Sequence, residues 1–364
     1  MPTRSNSSPL ARARHFSDWL GIRVPILLAP MAGACPPSLS IAVANAGGLG
    51  ACGTLLMTPD QILAWTREFR SKSEGQFQLN LWIPDPPPTR NLEVEQLQRE
   101  FLANWGPPVS PHAGDTLLQD FDAQCEAMLE AGPRAISSIM GLYEPNFVSK
   151  LKKRGILWFA TATTVAEAKA AVAAGADAVV AQGMEAGGHR GAFHPDEAEH
   201  QSVGLMALLP QVVDAINVPV IGTGGIADAR GVAAALMLGA SAVQIGTGFL
   251  RAPEAMTSPC YADRIARTEA HDTIVTRAFS GRAGRSVATA YVRAAMTGPT
   301  PAPYPVQRGL TAGMRGAAKK AGDIERMQMW AGQSAKLAES EPAAEIVRRL
   351  WDGCVRLLNE ATST

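Results

Sequence analysis

The sequence predicts a single (β/α)8 TIM barrel, an α/β fold, on two observations. Eight short apolar runs recur along the chain, and most of them end in glycine, proline, asparagine or threonine. Alanine-rich stretches with the apolar spacing of a helix lie between most of these runs. Apolar strands that alternate with helices indicate a parallel sheet, and eight such units in roughly 230 residues indicate a closed barrel. An open doubly wound sheet is the alternative, but it usually has fewer strands.

The strands and helices of this barrel can be placed in order along the chain. Two of the helices are predicted at 165–174 and 227–238. Gly175 and Gly239 follow these helices directly before a strand, which is typical of glycines that end a helix in the left-handed conformation. The predicted strands are 25–30, 48–53, 77–82, 135–139, 155–161, 178–183, 219–224 and 242–248.

Two segments interrupt or follow the barrel, which is predicted over 21–252. The segment 84–114 is rich in proline and forms an insertion after the third strand, with one helix at about 92–105. Residues 253–364 follow the last strand and are predicted as a smaller helical appendage that completes and covers the barrel. Helical patterns in this C-terminal extension span 323–337 and 343–358.

Composition narrows the class of protein. The 33 basic and 33 acidic residues balance, so neither a nucleic acid nor an acidic membrane has electrostatic support as a partner. No apolar run approaches the roughly 18 residues of a membrane span. The five cysteines are scattered without CxxC spacing, which indicates reduced thiols of a cytoplasmic protein and neither a disulfide framework nor a zinc site.

Residues 1–20 are predicted to form a flexible N-terminal arm. The first sixteen hold three arginines, several serines and no acid. This is also the composition of a mitochondrial transit segment, so targeting is the alternative to a basic arm ahead of the first strand.

Glycine-rich turns at two strand ends predict a phosphate site. Gly-Thr-Gly sequences follow the seventh and eighth strands, at 222–224 and 246–248. Barrels that bind a phosphorylated ligand commonly hold it after these two strands, with backbone N–H groups as donors. Neither turn contains a lysine, so amides and the hydroxyls of Thr223 and Thr247 are expected to bind a phosphate that is held and not transferred.

Two amide side chains stand at other strand ends. Asn80 and Gln182 can each donate and accept hydrogen bonds, as the pyrimidine edge of a flavin requires. The alternative for both is a buried amide that satisfies nearby backbone groups. Met31, just past the first strand, is either a cofactor contact or a core residue.

His189 is the candidate catalytic residue. It lies in the heptapeptide Glu-Ala-Gly-Gly-His-Arg-Gly at 185–191, directly after the sixth strand, where glycines allow backbone to approach a ligand. Histidine is the side chain best suited to move a proton near neutral pH. A metal site among His194, Asp196, Glu199 and His200 is the alternative for this region, but the cluster is local and polar, so no metal is expected.

As a set, these motifs resemble the nitronate monooxygenases, formerly called 2-nitropropane dioxygenases, a family of FMN-dependent TIM-barrel oxidoreductases. Relatives on the same barrel include flavin-dependent enoyl-acyl-carrier-protein reductases and NADH:quinone reductases. The resemblance covers about 21–252. It rests on Ala-Pro-Met-Ala-Gly at 29–33, Gly-Gly-Leu-Gly at 47–50, Asn80, the run at 182–191, Gly-Thr-Gly-Gly-Ile at 222–226 and Gln-Ile-Gly-Thr-Gly-Phe at 244–249.

The resemblance implies an enzyme that oxidises alkyl nitronates with O2 to a carbonyl compound and nitrite through a flavin semiquinone. His189 would face the substrate over the FMN, and would either deprotonate a neutral nitroalkane or, when protonated, bind the nitronate anion. The small-molecule substrate and O2 are the expected partners, and a homodimer is left open. The cofactor-binding residues implied are Ala29, Pro30, Met31, Asn80, Gln182, Gly187, Gly188, Gly224, Gly225, Gln244, Ile245, Gly246 and Thr247.

The chain departs from the family pattern in two places. The insertion 84–114 is long, and Ser-Gly-Arg-Ala-Gly-Arg at 280–285 matches the family's Ser-Gly-Arg-Pro-Ala-Arg only in part. Both lie near the predicted barrel mouth, so the identity of the substrate stays open. An NAD(P)H-dependent flavin reductase for quinones or enoyl thioesters, and a barrel that binds a phosphorylated ligand without redox chemistry, are the alternative functions.

Overall fold

The computed structural model describes residues 8–362 and confirms the (β/α)8 barrel. Eight parallel strands form one sheet, and three short strands form a second, antiparallel sheet. The barrel strands are β1 (Ile26–Leu28), β2 (Gly50–Gly53), β3 (Phe77–Trp82), β4 (Ala135–Ile139), β5 (Leu157–Ala162), β6 (Ala178–Gln182), β8 (Val220–Thr223) and β9 (Ala242–Ile245). The second sheet contains β7 (Gly188–His189), β10 (Thr273–Thr276) and β11 (Gly284–Val287).

Helices connect the strands and extend beyond the last one. The first seven are α1 (Pro9–Leu20), α2 (Pro37–Asn45), α3 (Pro59–Lys72), α4 (Leu92–Leu102), α5 (Phe121–Ala131), α6 (Pro145–Lys153) and α7 (Val165–Ala173). The others are α8 (Leu205–Ala215), α9 (Ala229–Met237), α10 (Pro259–Arg267), α11 (Ala290–Ala295), α12 (Val306–Leu310), α13 (Ala312–Ala321) and α14 (Ala343–Thr362). In the part of the chain that is described, none of them is long and apolar enough to cross a membrane.

The sheet closes on itself. Its strand order is β1-β9-β8-β6-β5-β4-β3-β2, and a parallel bridge between Leu27 on β1 and Leu49, just before β2, joins the two ends. All eight predicted strands are present; the largest difference is in the last one, which is predicted to end at 248 and ends at Ile245. The carboxyl ends of all eight strands therefore surround one opening, where ligands of such barrels bind.

Local signals in the sequence explain where the barrel helices begin and end. The side chains of Thr164 and Asp228 accept hydrogen bonds from backbone N–H groups in the first turns of α7 and α9. Gly175 and Gly239, predicted to follow these helices, have φ angles of 99° and 104°. A residue with a Cβ adopts such angles only under strain, so the two glycines fix where each helix gives way to its strand.

The N-terminal segment corrects the prediction of a flexible arm over 1–20. Residues Pro9–Leu20 form α1, and its buried side chains Phe16 and Leu20 fill the N-terminal end of the barrel interior. An interior lined by apolar strand residues needs a cover at this end, and the apolar face of α1 supplies it. The part of the predicted arm at 1–7 lies outside the described residues. The strand residues that α1 covers include Leu27, Phe159, Val180 and Ile221.

The proline-rich segment 84–114 carries a helix near its predicted place. The prediction is 92–105, and α4 spans Leu92–Leu102. Gln98 of this helix donates hydrogen bonds to the carbonyl oxygens of Pro299 and Thr300, at 2.7 and 3.0 Å. The insertion is thus tied to the C-terminal extension beside the barrel mouth.

The C-terminal extension differs from its prediction in two ways. The helix predicted over 323–337 is wrong, since only Ala335–Leu337 forms a short 3-10 turn. Residues here alternate instead, with Met329 buried and Trp330 half-buried, and Trp330 forms an antiparallel bridge with Ser286. The extension is also not purely helical, because it contributes β10 and β11 to the second sheet. The alternation of burial around Met329 has the period of two of a strand, which explains why no helix forms in that segment.

The helix at the end of the chain belongs to the barrel itself. The pattern at 343–358 corresponds to α14, which packs against α9, α2 and α1. This position, after the last strand and between the helices that follow β8 and β1, is that of the eighth barrel helix.

Replacing Phe16 should test the role of α1. Phe16→Ala removes a buried ring from the barrel interior and should lower the free energy of unfolding by about 3–5 kcal/mol. His15→Ala, at an exposed position on the same helix, is the control and should change it by less than about 0.5 kcal/mol. Urea unfolding followed by circular dichroism measures both, and equal effects would show that α1 is not part of the core.

Candidate active site

A cavity of about 770 Å³ opens at the carboxyl ends of the barrel strands. Its volume is in the range of sites that hold a cofactor or a drug-sized ligand. All fourteen residues predicted for the site line this one cavity. They are Ala29, Pro30, Met31, Asn80, Gln182, Gly187, Gly188, His189, Gly224, Gly225, Gln244, Ile245, Gly246 and Thr247.

The two glycine turns form a cradle of backbone donors. Gly224 and Gly225 have φ angles of 109° and 72°, which favour glycine, and both residues line the cavity. The backbone N–H groups of Gly224, Gly225, Gly246 and Thr247 donate no hydrogen bond to any other residue in 8–362. Free donors in such a turn suit an anion, and a phosphate in particular.

The two threonine hydroxyls of these turns are not equivalent. Thr223 donates its hydroxyl hydrogen to the carbonyl oxygen of Gln244, 2.8 Å away inside the barrel, so the expectation that it donates to a phosphate is not met. The Thr247 oxygen accepts a hydrogen bond from the N–H of Gly332 at 3.0 Å, which leaves its hydrogen free. Only Thr247 can therefore add a donor to the cradle.

Asn80 and Gln182 also differ in what they offer. Asn80 donates from its amide nitrogen to the Ser137 hydroxyl at 3.0 Å, and its amide oxygen has no donor among the described residues. The Gln182 oxygen instead accepts from the N–H of Gly191 at 2.8 Å, and its nitrogen donates to the carbonyl of His189 at 3.2 Å. Asn80 thus presents a free acceptor to a ligand, whereas Gln182 mainly fixes the loop that carries His189.

The loop after β1 is held against the end of β9. A thiol clamps it: the backbone N–H of Met31 donates to the sulphur of Cys35, and that thiol donates to the carbonyl of Ala29, both at 3.3 Å. A Cβ placed on Gly246 would lie 3.2 Å from the Met31 sulphur. Glycine at 246 therefore lets the two strand ends meet, and Met31 both lines the cavity and packs on the core.

His189 is fixed by the C-terminal extension. It forms the two-residue strand β7 with Gly188, and β7 pairs with β11, where Gly284 lies opposite His189. Its ring nitrogen Nε2 lies 2.8 Å from the hydroxyl of Ser280. The predicted catalytic histidine is thus held from both its backbone and its side chain by residues about 90 positions later in the chain.

The contacts of Ser280 select one protonation form of the neutral ring. The Ser280 hydroxyl donates to the carbonyl oxygen of Arg282 at 3.1 Å and accepts from the N–H of the same residue at 3.3 Å. We assign the single hydroxyl hydrogen to the Arg282 carbonyl, which makes Ser280 the acceptor from His189, so that Nε2 carries the ring hydrogen. Nδ1 is then the free basic nitrogen, it has no partner among the described residues, and the histidine lines the cavity.

Two tryptophans enclose the histidine ring. The Trp82 ring meets it edge-on with centroids 4.5 Å apart, and the Trp330 ring lies 4.7 Å away on another side. Burial among these rings, together with the guanidinium groups of Arg282 and Arg308, lowers the pKa of His189 from 6.5 to about 3. The ring is therefore neutral at physiological pH. It can accept a proton but does not carry a positive charge in the free protein.

Charged residues around the loop hold it in place. Both oxygens of the Glu185 carboxylate accept from the single N–H of Leu205 at the start of α8, at 2.9 and 3.0 Å, so Glu185 ties the loop to this helix. Arg190 is buried and donates to the carbonyl of Gly183 at 2.8 Å. Arg282 is buried too; it pairs with Asp85 of the insertion and donates to the carbonyl of Ala192 at 2.6 Å.

The region considered for a metal is polar and local. No group of three or more histidine, cysteine, aspartate or glutamate side chains suited to a metal is found between residues 8 and 362. Glu199, one of the four residues considered, pairs with Arg277 at 3.1 Å.

Several residues of the cavity are not in the predicted set. Ser280 lies in the 280–285 motif, which matched the family pattern in part, so a signal for it existed. Others lie in the C-terminal extension or at the end of β3, where the sequence shows no motif that places them at the mouth. The additional residues include Trp82, Ser280, Tyr304, Arg308 and Trp330.

Comparisons with known proteins identify the family of this chain. The sequence profile of the nitronate monooxygenase family matches residues 14–353. A protein named nitronate monooxygenase from Paraburkholderia phytofirmans is 39% identical over 339 residues, 91% of this chain and 92% of that one. The nitroalkane oxidase of Streptomyces ansochromogenes is 34% identical with a TM-score of 0.86, and the match covers 95% of this chain and 99% of that one.

A more distant structure is FabK from Thermotoga maritima, with 28% identity, a TM-score of 0.74, and coverage of 96% of this chain and 98% of that one. The family match over nearly the whole chain and the two closer proteins agree in the class of substrate. The chain belongs to the nitronate monooxygenase family, and it is an oxidoreductase that acts on nitronates or nitroalkanes.

Proposed function

We propose that this enzyme binds FMN at the barrel mouth and uses O2 to convert alkyl nitronates to carbonyl compounds and nitrite. The observation that carries the proposal is the cradle of free N–H groups at 224–225 and 246–247, which shares one cavity with His189. A phosphate bound there would place the rest of the cofactor across the strand ends. The flavin would supply the redox chemistry.

The residues of the cavity fit this cofactor in three respects. The cradle offers four backbone donors and the Thr247 hydroxyl for the phosphate. Asn80 offers a free amide oxygen for an N–H of the flavin ring. A Cβ on Gly188 would meet nothing within 4 Å, so the loop beside His189 borders open space that a ring can fill. The remaining wall residues are Ala29, Pro30, Met31, Gln182, Gly187, Gln244 and Ile245.

His189 would act as a base through Nδ1. Because Ser280 accepts from Nε2, the free nitrogen can take the α-proton of a neutral nitroalkane and so generate the nitronate. A ring with a pKa of about 3 is a weak base, since the cations around it oppose the positive charge that it would gain. We therefore expect preformed nitronates to react faster than neutral nitroalkanes.

Nitrite release from the nitronate of 2-nitropropane, without added reductant, tests the proposal. Aerobic nitrite formation by the FMN-loaded enzyme is expected, together with slow bleaching of the flavin by NADH in the absence of oxygen. Rapid bleaching without nitrite release would favour a flavin reductase. A colourless protein that takes up no FMN would overturn both and favour the barrel without redox chemistry.

Replacing a cradle glycine should weaken FMN binding. Gly225→Ala forces a Cβ onto a residue with φ of 72° and should raise the Kd for FMN at least about tenfold, because the donors move. Gly155→Ala is the matched control, since Gly155 has φ of 66° but lies outside the cavity lining. Quenching of FMN fluorescence by the apoprotein measures Kd. An equal Kd in both variants would show that the cradle does not hold the phosphate.

Removing the histidine should separate the two substrate forms. His189→Ala should keep FMN bound and slow turnover of neutral nitroalkanes by roughly 10²- to 10⁴-fold, because the base is lost. Turnover of preformed nitronate should fall less. Steady-state nitrite assays on both forms give the ratio, and equal losses would show that proton abstraction is not the role of His189.

The ring should stay neutral through the physiological range. Nitrogen NMR of histidine-labelled protein, with His189→Ala to assign the signal, should show the Nε2–H form with no titration between pH 5.5 and 8, a window chosen around the ordinary pKa of 6.5. In Ser280→Ala, the preference for Nε2–H should weaken because its acceptor is gone. Titration of the wild-type ring near pH 6.5 would contradict the description of the site.

A further inference from the structure

We propose that Arg308, together with the hydroxyl of Tyr304, binds the two oxygens of the nitronate anion, so that the enzyme selects the anionic form of its substrate. The inference rests on the proposed function and assigns its anion-binding residues. Both side chains line the cavity that contains His189.

The guanidinium group of Arg308 has no partner among the residues in 8–362. It forms no hydrogen bond and no ion pair there, whereas the terminal nitrogens of Arg282 and Arg190, other arginines near the site, donate to carboxylate or carbonyl oxygens. Arg308 is only partly exposed, at the C-terminal extension's side of the cavity. A cation held in this position without a partner is available to a ligand.

Tyr304 supplies a second unused donor. Its hydroxyl is buried and has no hydrogen-bond partner among the described residues. Its ring lies 5.4 Å from that of Trp82, which in turn contacts His189, so the aromatic wall connects Tyr304 to the predicted base. Leaving a buried hydroxyl unpaired costs free energy, and a ligand oxygen that accepted from it would remove that cost.

The cavity as a whole carries uncompensated positive charge. Its lining holds three cations, Arg308, Arg315 and Lys319, against one carboxylate, Glu185, which is already bonded to α8. Arg315 donates only to neutral oxygens, those of Thr311, Gln328 and the Arg308 backbone. Burial and the adjacent Arg308 lower the pKa of Arg315 to about 10, so two neighbouring cations face one cavity without an acid between them. Such a cavity attracts anions.

His189 does not supply the positive charge that a nitronate needs. Its ring is neutral near pH 7, in part because Arg308 lies close enough to oppose its protonation. The resemblance implies that a protonated histidine binds the nitronate anion. We assign that role to Arg308 instead. A planar guanidinium fork matches two oxygens on one atom, as in a carboxylate, and a nitronate has the same arrangement.

Replacing Arg308 should affect the anion more than the neutral substrate. Arg308→Met keeps the length of the side chain and should raise KM for 2-nitropropane nitronate about 10- to 100-fold, the value of a charge-assisted hydrogen bond. KM for neutral 2-nitropropane should change by less than about threefold. Arg308→Lys should lie between wild type and Arg308→Met, and Tyr304→Phe should raise KM for the nitronate by about 3- to 10-fold.

A binding measurement gives a readout that does not depend on turnover. Nitrate is a planar oxyanion that does not react, and calorimetric titration of the FMN-loaded protein should show binding that Arg308→Met weakens at least about tenfold. Sodium chloride at equal ionic strength controls for screening. Arg348→Met, on the exposed face of α14, is the matched control and should leave both nitrate affinity and KM unchanged. Unchanged melting temperatures confirm that the variants fold.

The outcomes separate this inference from the function on which it rests. If wild type releases no nitrite from the nitronate, the proposed function fails, and the nitrate titration still decides whether Arg308 binds an oxyanion. If wild type releases nitrite but Arg308→Met keeps its affinity for nitrate, or raises KM equally for both substrates, the assignment of Arg308 is wrong. Absence of nitrate binding to wild type would also overturn it.

Discussion

The antiparallel pairing between β11 and β7 is the contact on which the active site depends. Through it, a segment near residue 285 holds the backbone of His189, and the adjoining Ser280 holds its ring. Glycine at 284 favours the close approach of the two segments, since a Cβ there would lie only 3.1 Å from the Cα of His189 and from the Trp330 ring. The C-terminal extension is thus a part of the active site and not a separate unit, because without it the histidine loop would be an unpaired strand at the barrel mouth.

The second constraint is electrostatic. Buried arginines stabilise the walls of the site, and each needs an oxygen partner to offset the loss of hydration. Arg282 pairs with Asp85 and also donates to the carbonyl of Ala192, so it links the insertion after β3 to the chain just beyond His189. Arg308 and the glycine cradle instead keep their donors free, at different parts of one cavity. In the proposed function, a phosphate at the cradle and a nitronate at Arg308 would complement this charge and would give the unpaired donors their partners.

The sequence was informative where local chemistry determines structure. Continuous apolar strands and helix-ending glycines such as Gly175 predicted the barrel, and each site residue at a strand end lines the cavity. It was misleading where long-range packing decides: the basic composition of the N-terminal segment hid the apolar face of α1, and the segment around Met329, predicted as a helix, instead bonds to β11. Trp330 and Arg308 could not be placed, because no local pattern shows that a chain end returns to the mouth of the barrel.

The charge of Arg308 acts on the ring of His189, and this electrostatic coupling bears on both the neutral nitroalkane and the nitronate. Arg308 lowers the pKa of the histidine, so by itself it makes the base weaker. When a neutral nitroalkane loses its α-proton, however, negative charge develops on the two oxygens that Arg308 would bind. The cation that disfavours a protonated histidine therefore stabilises the anion formed in the same step, and the anion in turn offsets the repulsion on the ring. Arg308 would therefore offset the weakness of the base in the transition state, where the negative charge develops. It would attract a preformed nitronate in the same way when that anion binds.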